Sequence, residues 1–396
     1  MRLARRGDGS KRKFWLRDKV MARGRRDGIL IAGGGLAGAV AAMAMARHRP
    51  DVPLLIVEEA ATFGGTGTRT FSDAELGADG TDLIGAAGIA HWPGIYLSFP
   101  GMNRNLRLNW SGFGGDDLHR AMVESLDPKQ YRLGTKIVAV REDALVLDGG
   151  EEIKAEGAID ARGPTNLSML DLLHEVRVER DYAFAAPHRV DRPVLIDATV
   201  PQANGTHGAA LRFMSCVPLG EKRLAVSDVM ISERIQPDAD AGARLDAYVA
   251  ARGWQAPSIG GEQIGVRPLP YGGDFAAFWR LGGARVAKLG LRGGFVHPLT
   301  GRTLGDAVAN AMLLTRQRDF SAGALHDLFE AEAKQLWRKR EPLRDVTAAL
   351  AAARPEDRLA LLASLYSLGP GTIAALNADE LGWLDRRRVQ QAIRAD

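Results

Sequence analysis

The sequence predicts an α/β fold: a parallel sheet covered by helices, interleaved with a mostly antiparallel β domain and closed by a helical C-terminal region. Three observations predict it. An apolar run, a glycine-rich turn and an alanine-rich helical stretch follow one another between Ile29 and Arg47. Strand-like segments separated by Gly and Pro turns dominate residues 166–284. Beyond Asp319 the pattern is helical, with breaks at Pro342, Pro355 and Pro370.

The first observation identifies the parallel sheet. Gly33, Gly35 and Gly38 form G-x-G-x-x-G, after the apolar run Ile29-Leu30-Ile31 and before the helical stretch. A second apolar run, Leu54-Leu55-Ile56-Val57, ends on Glu58, twenty residues after Gly38. One glycine permits the tight turn, one lets backbone approach a pyrophosphate, one lets helix pack on strand, and the carboxylate takes a ribose hydroxyl. Glu58 favours an unphosphorylated ribose, as in FAD or NAD, because a 2′-phosphate would meet like charge. The charge-free stretch from Gly28 to Ala46 makes a poor membrane span, with five glycines in nineteen residues. No other segment reaches the roughly 18 apolar residues that a span needs.

Further along, "LHRAMVESL" (residues 118–126) reads as a helix, and the following segment reads as short strands with a turn at Asp148-Gly149-Gly150. The strand in "GAIDARGP" (157–164) delivers Asp160 and then Gly163, as in FAD-binding folds where the chain returns to the nucleotide sheet. "RPVLIDATV", "LRFMSCVPL" and "RLAVSDVMI" follow as strands, with one helix near Asp246–Arg252. Between Arg285 and Leu314 a strand then runs through Gly290, Arg292, His297, Pro298 and Gly301 into an amphipathic helix beginning near Leu304. A helix N-terminus approached by backbone N–H groups favours anionic charge, which predicts cofactor contact over a purely structural turn. The resulting organisation is a basic arm (1–27) and an FAD-binding Rossmann-like domain (28–165 and 285–320), with part of the substrate sheet inserted around 70–115. A substrate domain (166–284) and a helical cap (321–396) complete it.

At 396 residues and 46% hydrophobic content, the chain exceeds one typical domain and can bury a full core. Its net charge of +4 is uneven: residues 1–27 carry eleven Lys/Arg against three Asp, leaving −4 for the remainder. The arm lacks the apolar core of a secretory signal. It reads as a mobile basic arm. Phe14, Trp15 and Leu16 among its cations also suit an anionic membrane surface. Met21 offers an alternative start. No zinc spacing, repeat or nucleic-acid motif accompanies the charge, so neither a metal site nor nucleic-acid binding is expected. The single cysteine, Cys216, excludes an internal disulfide, fits a reducing cytoplasm and reads as a core residue.

With these residues in place, the sequence resembles the bacterial lycopene cyclases, flavin-dependent relatives of the aromatic hydroxylase and squalene epoxidase architecture. The likeness runs over most of residues 28–385. It includes "HWPGIYLSFP" (91–100), "AIDARGP", "PHRVDRPVLIDATVPQANG" (187–205), "GVRPLPYGGDFAAFW" (265–279) and "GLRGGFVHPLTGRTL" (290–304). The resemblance implies cyclisation of a linear polyene end without net redox change. An acid protonates a terminal double bond, a neighbouring alkene attacks the cation, and proton loss closes a β-ring. It further implies reduced FAD, with NAD(P)H as reductant, aiming negative charge at the cation. A dry apolar tunnel and a cytoplasmic enzyme lying on the membrane surface complete that expectation.

The chain departs from the family pattern where its acid pair stands. Ser227 occupies the first acid position and cannot supply a proton; Asp228 keeps the second. Successive strand residues face opposite sides, so Asp228 points away from the Ser227 side unless a bulge turns it. Asp228 and Glu262 are the candidate proton donors, with a buried or capping carboxylate and a surface ion pair as their respective structural alternatives. A second departure leaves Arg69 in a stretch from which family aromatics are missing; it either meets flavin phosphate or carbonyl groups or is a solvated loop arginine. His207, in a longer strand entry, is a base or a surface loop residue. Two functions stay open: a carotenoid cyclase with altered acid machinery, or a divergent paralogue. The paralogue would be another FAD-dependent oxidoreductase of hydroxylase type or a carotenoid-binding accessory protein.

Overall fold

A computed structural model of the chain describes residues 27–394 except 66, 165, 203–210, 236–238 and 256–257. The basic arm up to residue 26 and His207 lie outside the described residues.

Ile29–Ala32 is buried along its whole length, the signature of a central parallel strand. It lies between Gly157–Asp160 and Leu54–Val57 in unbroken parallel register, Ile31 opposite both Ile159 and Ile56. Ala287–Lys288 and Tyr131–Arg132 extend this sheet to five strands. The helix Leu36–His48 follows the glycine turn and packs against Leu304–Thr315. Its alanines and glycine leave nine of thirteen residues buried, so it is apolar on nearly every side and has little amphipathic character.

The largest sheet has seven strands in the spatial order Ser258–Gly273, Leu170–Ala183, Arg223–Ser232, Leu211–Gly220, Val194–Asp197, Ile95–Phe99, Met102–Leu106. Every pairing in it is antiparallel except Val194–Asp197 with Ile95–Phe99. The expected α/β class, with a Rossmann-like parallel sheet and a mostly antiparallel second sheet, is therefore what the chain forms. Two smaller sheets complete the β-structure, one of them Arg69–Ser72, Trp110–Phe113 and Ala90–Trp92.

Each face of the seven-stranded sheet is covered differently. One packs Met214, Cys216, Leu224 and Val226 against Leu245 and Tyr248 of the helix Ala241–Ala251. The other packs Phe213, Val217 and Ile231 toward Leu350, Leu362 and Leu365 of the C-terminal helices. Those helices run Ala322–Lys339, Glu341–Ala352, Arg358–Ser367, Pro370–Asn377 and Trp383–Ala392. Pro342 and Pro370 stand in first turns, where a missing N–H costs nothing, and Pro355 falls between two helices. Arg340 clamps this region down: its guanidinium reaches Asp306 at 2.6 and 2.8 Å, Asp379 at 2.9 Å and the Val296 carbonyl at 3.1 Å. Among the described residues no single helix is long and apolar enough to cross a membrane.

Candidate functional site

The glycine turn, the late glycine-rich loop and one face of the seven-stranded sheet converge on a single cavity of about 490 Å³. That size is typical of small-molecule sites. Gly33, Gly35, Glu58, Arg162 and Gly163 line one end. Gly33 has φ +97°, and a side chain there would put Cβ 2.7 Å from the Arg162 Cα. A Cβ on Gly38 would run into the Gly33 carbonyl oxygen, so Gly38 lets the helix close on the turn. At Gly35 a Cβ would meet nothing within 4 Å; this stretch of backbone faces open space at the N-terminus of Leu36–His48. A diphosphate fits that cradle, because backbone N–H groups and the helix dipole both favour an anion there. Glu58 accepts from the N–H groups of Gly34 and of Ala60, the latter at 2.8 Å, and lines the cavity beside it.

Asp160 was expected in the cofactor site but lies fully buried behind it. Its carboxylate accepts from Arg162 Nε and Nη2, both at 2.9 Å, with Arg292 Nε at 3.5 Å. Arg162, not Asp160, reaches the cavity. Arg292 likewise faces Asp160 and does not line the cavity.

The middle of the cavity is formed by the loop from Gly290 to Thr303. Gly290 and Gly301 line it with φ +58° and +63°, and a Cβ on Gly301 would come within 3.0 Å of the Arg267 side chain. His297 sits beneath this loop. Its Nε2 is 2.9 Å from the Leu376 carbonyl, and its Nδ1 accepts from Leu299 and Thr300 N–H at 3.3 Å. Burial, reinforced by the charges of Arg340 and Arg302, drives its pKa well below the imidazole value, so it is a neutral staple. The Pro298 carbonyl accepts from Thr347 Oγ at 3.2 Å. Neither residue faces the cavity, because both point toward the C-terminal helices. Thr300, which does line it, carries a buried hydroxyl without a partner among the described residues, as expected where a polar-edged ligand ring belongs.

Opposite the loop, Glu175, Arg177, Glu179 and Arg267 project from adjacent strands, with Arg69 beside them. Glu175 accepts from Arg177 Nε at 3.2 Å and Arg267 Nη1 at 3.4 Å. Glu179 accepts from the Thr68 N–H at 2.7 Å and the Ser227 hydroxyl at 2.9 Å, and Arg177 donates to that same hydroxyl at 3.1 Å. Arg69 donates to the carbonyls of Gly67 and Gly64. Burial pushes its pKa down to about 10; the charge of Arg267 adds to the shift and Glu179 opposes it. Burial lowers Arg267 too. This wall therefore brings three guanidinium groups and two carboxylates to the cavity. Past it the cavity turns apolar, between Ile196, Phe213, Val217 and Ile231 of the sheet and Leu350 and Leu362 of the cap.

Neither expected proton donor lines the cavity. Ser227 and Asp228 alternate without a bulge in the ladder to Leu170–Ala183, so Asp228 falls on the helix-covered face. There it is paired with Arg244 at 2.6 Å and Arg212 at 3.3 Å. Glu262 lies on that face as well, opposite Arg180 in register and 2.8 Å from its guanidinium. Both carboxylates are structural ion-pair partners. Of the expected cofactor residues, Gly33, Gly35, Glu58, Arg69, Gly163, Gly290 and Gly301 line the cavity. Arg162, Glu175, Arg177, Glu179, Thr300 and Arg267 were not anticipated. The alternation E-x-R-x-E from Glu175 to Glu179 was the available signal, but polar residues at every second strand position ordinarily face water.

A family model described as "Lycopene cyclase protein" matches residues 28–390. The lycopene beta-cyclase of Pantoea ananas is 28% identical over 363 residues, covering 91% of this chain and 93% of that protein. Among solved structures, a geranylgeranyl bacteriochlorophyll reductase-like protein from Thermoplasma acidophilum superposes with a TM-score of 0.63 at 14% identity, covering 92% of this chain and 98% of that one. A flavin-dependent monooxygenase in complex with FAD and substrate superposes with a TM-score of 0.54 at 17% identity, covering 92% and 71%. These structural likenesses establish the fold.

Proposed function

Since the chain belongs to the lycopene cyclase family, we propose that it is a flavoprotein of carotenoid biosynthesis that closes one end of a linear carotenoid into a β-ring by acid-initiated, non-redox cyclisation. One observation carries this reading: a single cavity is lined by the glycine cradle, by the buried carboxylates Glu175 and Glu179, and by apolar side chains of the sheet and the cap. A nucleotide cofactor, a proton source and a hydrocarbon chain would all have places along it.

FAD in its reduced form, with NAD(P)H as reductant, would supply negative charge beside the developing cation. The protein's own residues do the rest. Gly33 and Gly35 let backbone approach the diphosphate, Glu58 takes a ribose hydroxyl, and Arg162 and Gly163 close the nucleotide end. Arg69 and Arg267, beside Gly301, offer positive charge to an anionic ring edge. Phe213, Val217, Ile231, Leu350 and Leu362 exclude water, which would quench a carbocation. Delivery of so oily a substrate suits a cytoplasmic protein held at the membrane surface.

Expression in cells that accumulate lycopene tests the reading. A ring-bearing pigment should appear, and the purified protein should show flavin absorbance that bleaches with reductant. Unchanged lycopene beside an FAD-loaded protein would overturn the cyclase assignment. That result would favour the second reading, an FAD-dependent oxidoreductase of hydroxylase type or a carotenoid-binding accessory protein. The specific observation behind it is the cluster of Arg69, Arg177, Arg267 and Arg302 along the cavity, an unusual wall for a pure hydrocarbon.

A further inference from the structure

Of the two carboxylates in the sheet wall of the cavity, Glu179 accepts from a hydroxyl and a backbone N–H, whereas Glu175 is held by two guanidinium groups. It is also the register partner of Ser227, and its side chain bonds to the Ser227 hydroxyl. Glu179 and Thr68 further line a second, smaller pocket of about 90 Å³, bordered by Asp116, Asp117, Asp181 and Arg223. One carboxylate thus stands between an inner cavity with an apolar recess and an outer pocket lined by ionisable groups. Gln263, opposite Glu179 in register, lines the outer pocket and carries a buried amide oxygen with no partner among the described residues. That oxygen and Glu179 Oε1 both lie 3.6 Å from where a Gly67 Cβ would be. It is an acceptor placed near a carboxyl that would need one only when protonated.

We propose that Glu179 is the catalytic acid of this cavity, carrying out from the neighbouring strand the task that Ser227 cannot. The inference rests on the cyclase reading. The Glu179 O–H proton adds to one carbon of the terminal double bond. The π pair of the neighbouring alkene forms the ring C–C bond, and the C–H proton lost from the ring carbon beside the resulting cation returns to the carboxylate. No electrons leave or enter.

The test uses FAD-loaded full-length protein. Glu179→Gln should bind flavin as the wild type does and lose at least a hundredfold in ring formation, the scale of general-acid catalysis. Ser227→Ala should lose less than tenfold. The double variant Glu179→Gln with Ser227→Glu, which returns the carboxyl across the strand pair, should regain at least tenfold over Glu179→Gln. Wild-type turnover in Glu179→Gln overturns this inference and leaves the cyclase reading intact. Absence of product from the wild type overturns the cyclase reading instead. The carboxyl itself is then read by infrared difference spectra between pH 8 and pH 5 with glutamate isotopically labelled. A protonated C=O band in the wild type that Glu179→Gln lacks supports the inference, and its absence from the wild type overturns it.

Discussion

Ser227 and Asp228 are consecutive, buried residues of one strand, but they belong to two different environments. On the Asp228 side the helix Ala241–Ala251 seals the sheet. Asp228 pairs with Arg212 and Arg244, Arg180 with Asp246 and Glu262, and Asp197 with Arg252 and the Tyr248 hydroxyl. On the Ser227 side, Glu175, Arg177, Glu179 and Arg267 border open volume. Buried ions are costly in either place. Where every partner is supplied by the fold, the cost is offset by geometry and the charges hold the helix to the sheet. Where part of the surroundings is a cavity, the same residue types keep an unfilled side that a ligand can complete.

The largest effect that separates the faces is at Asp228. Asp228→Ala removes the carboxylate between two guanidinium groups and should cost about 3–5 kcal/mol of stability, as expected when one partner of a buried ionic cluster is deleted. The urea midpoint should fall well below that of the wild type, while protein that remains folded keeps its flavin absorbance. A variant as stable as the wild type but unable to form rings would invert the comparison and put Asp228 back among the reacting groups.

This contrast also shows what could be read from the chain alone. The nucleotide end was legible because each of its requirements is local: Gly33, Gly35 and Gly38 act through their own backbone, and Glu58 lies a fixed distance along the next strand. The alternation of Ser227 and Asp228 was legible for the same reason, since pleating needs no partner. The sheet wall of the cavity was not. Glu179 comes opposite Ser227 only through pairing of strands 48 residues apart, and Arg267 reaches Glu175 across 92. Asp160 and His297 failed differently. Their residue types suited a cofactor, but tertiary packing turned Asp160 toward Arg162 and Arg292, and His297 toward Leu376, where each fixes a neighbour that lines the cavity.

A smaller effect is expected at Glu262. Its carboxylate is partly exposed and shares Arg180 with Asp246. Exposed pairs of this kind contribute about 0–1 kcal/mol. Glu262→Gln should therefore shift the urea midpoint slightly and leave ring formation and flavin content unchanged. A hundredfold loss of product would show that the sealed face communicates with the chemistry.

The smallest signal comes from Cys216, fully buried on the sealed face with its Sγ 3.8 Å from the Tyr248 hydroxyl. Burial pushes the thiol up to about 12, above its ordinary value of 9.0. Its thiolate is accordingly scarce at pH 8, and the helix blocks access. Native protein should resist a thiol reagent that labels the same residue promptly in urea. The raised value also sets a sign. Because the unfolded thiol ionises first, Cys216 adds stability that is fully present below about pH 9 and is lost as pH rises toward 12. Rapid labelling of the native wild type at pH 8 would mean that the helix opens and that the two faces differ less than their packing indicates. Labelling that is slow in the wild type and fast in Asp228→Ala would tie the seal to the ion cluster, because loss of the Arg244 contact loosens the helix that covers the thiol.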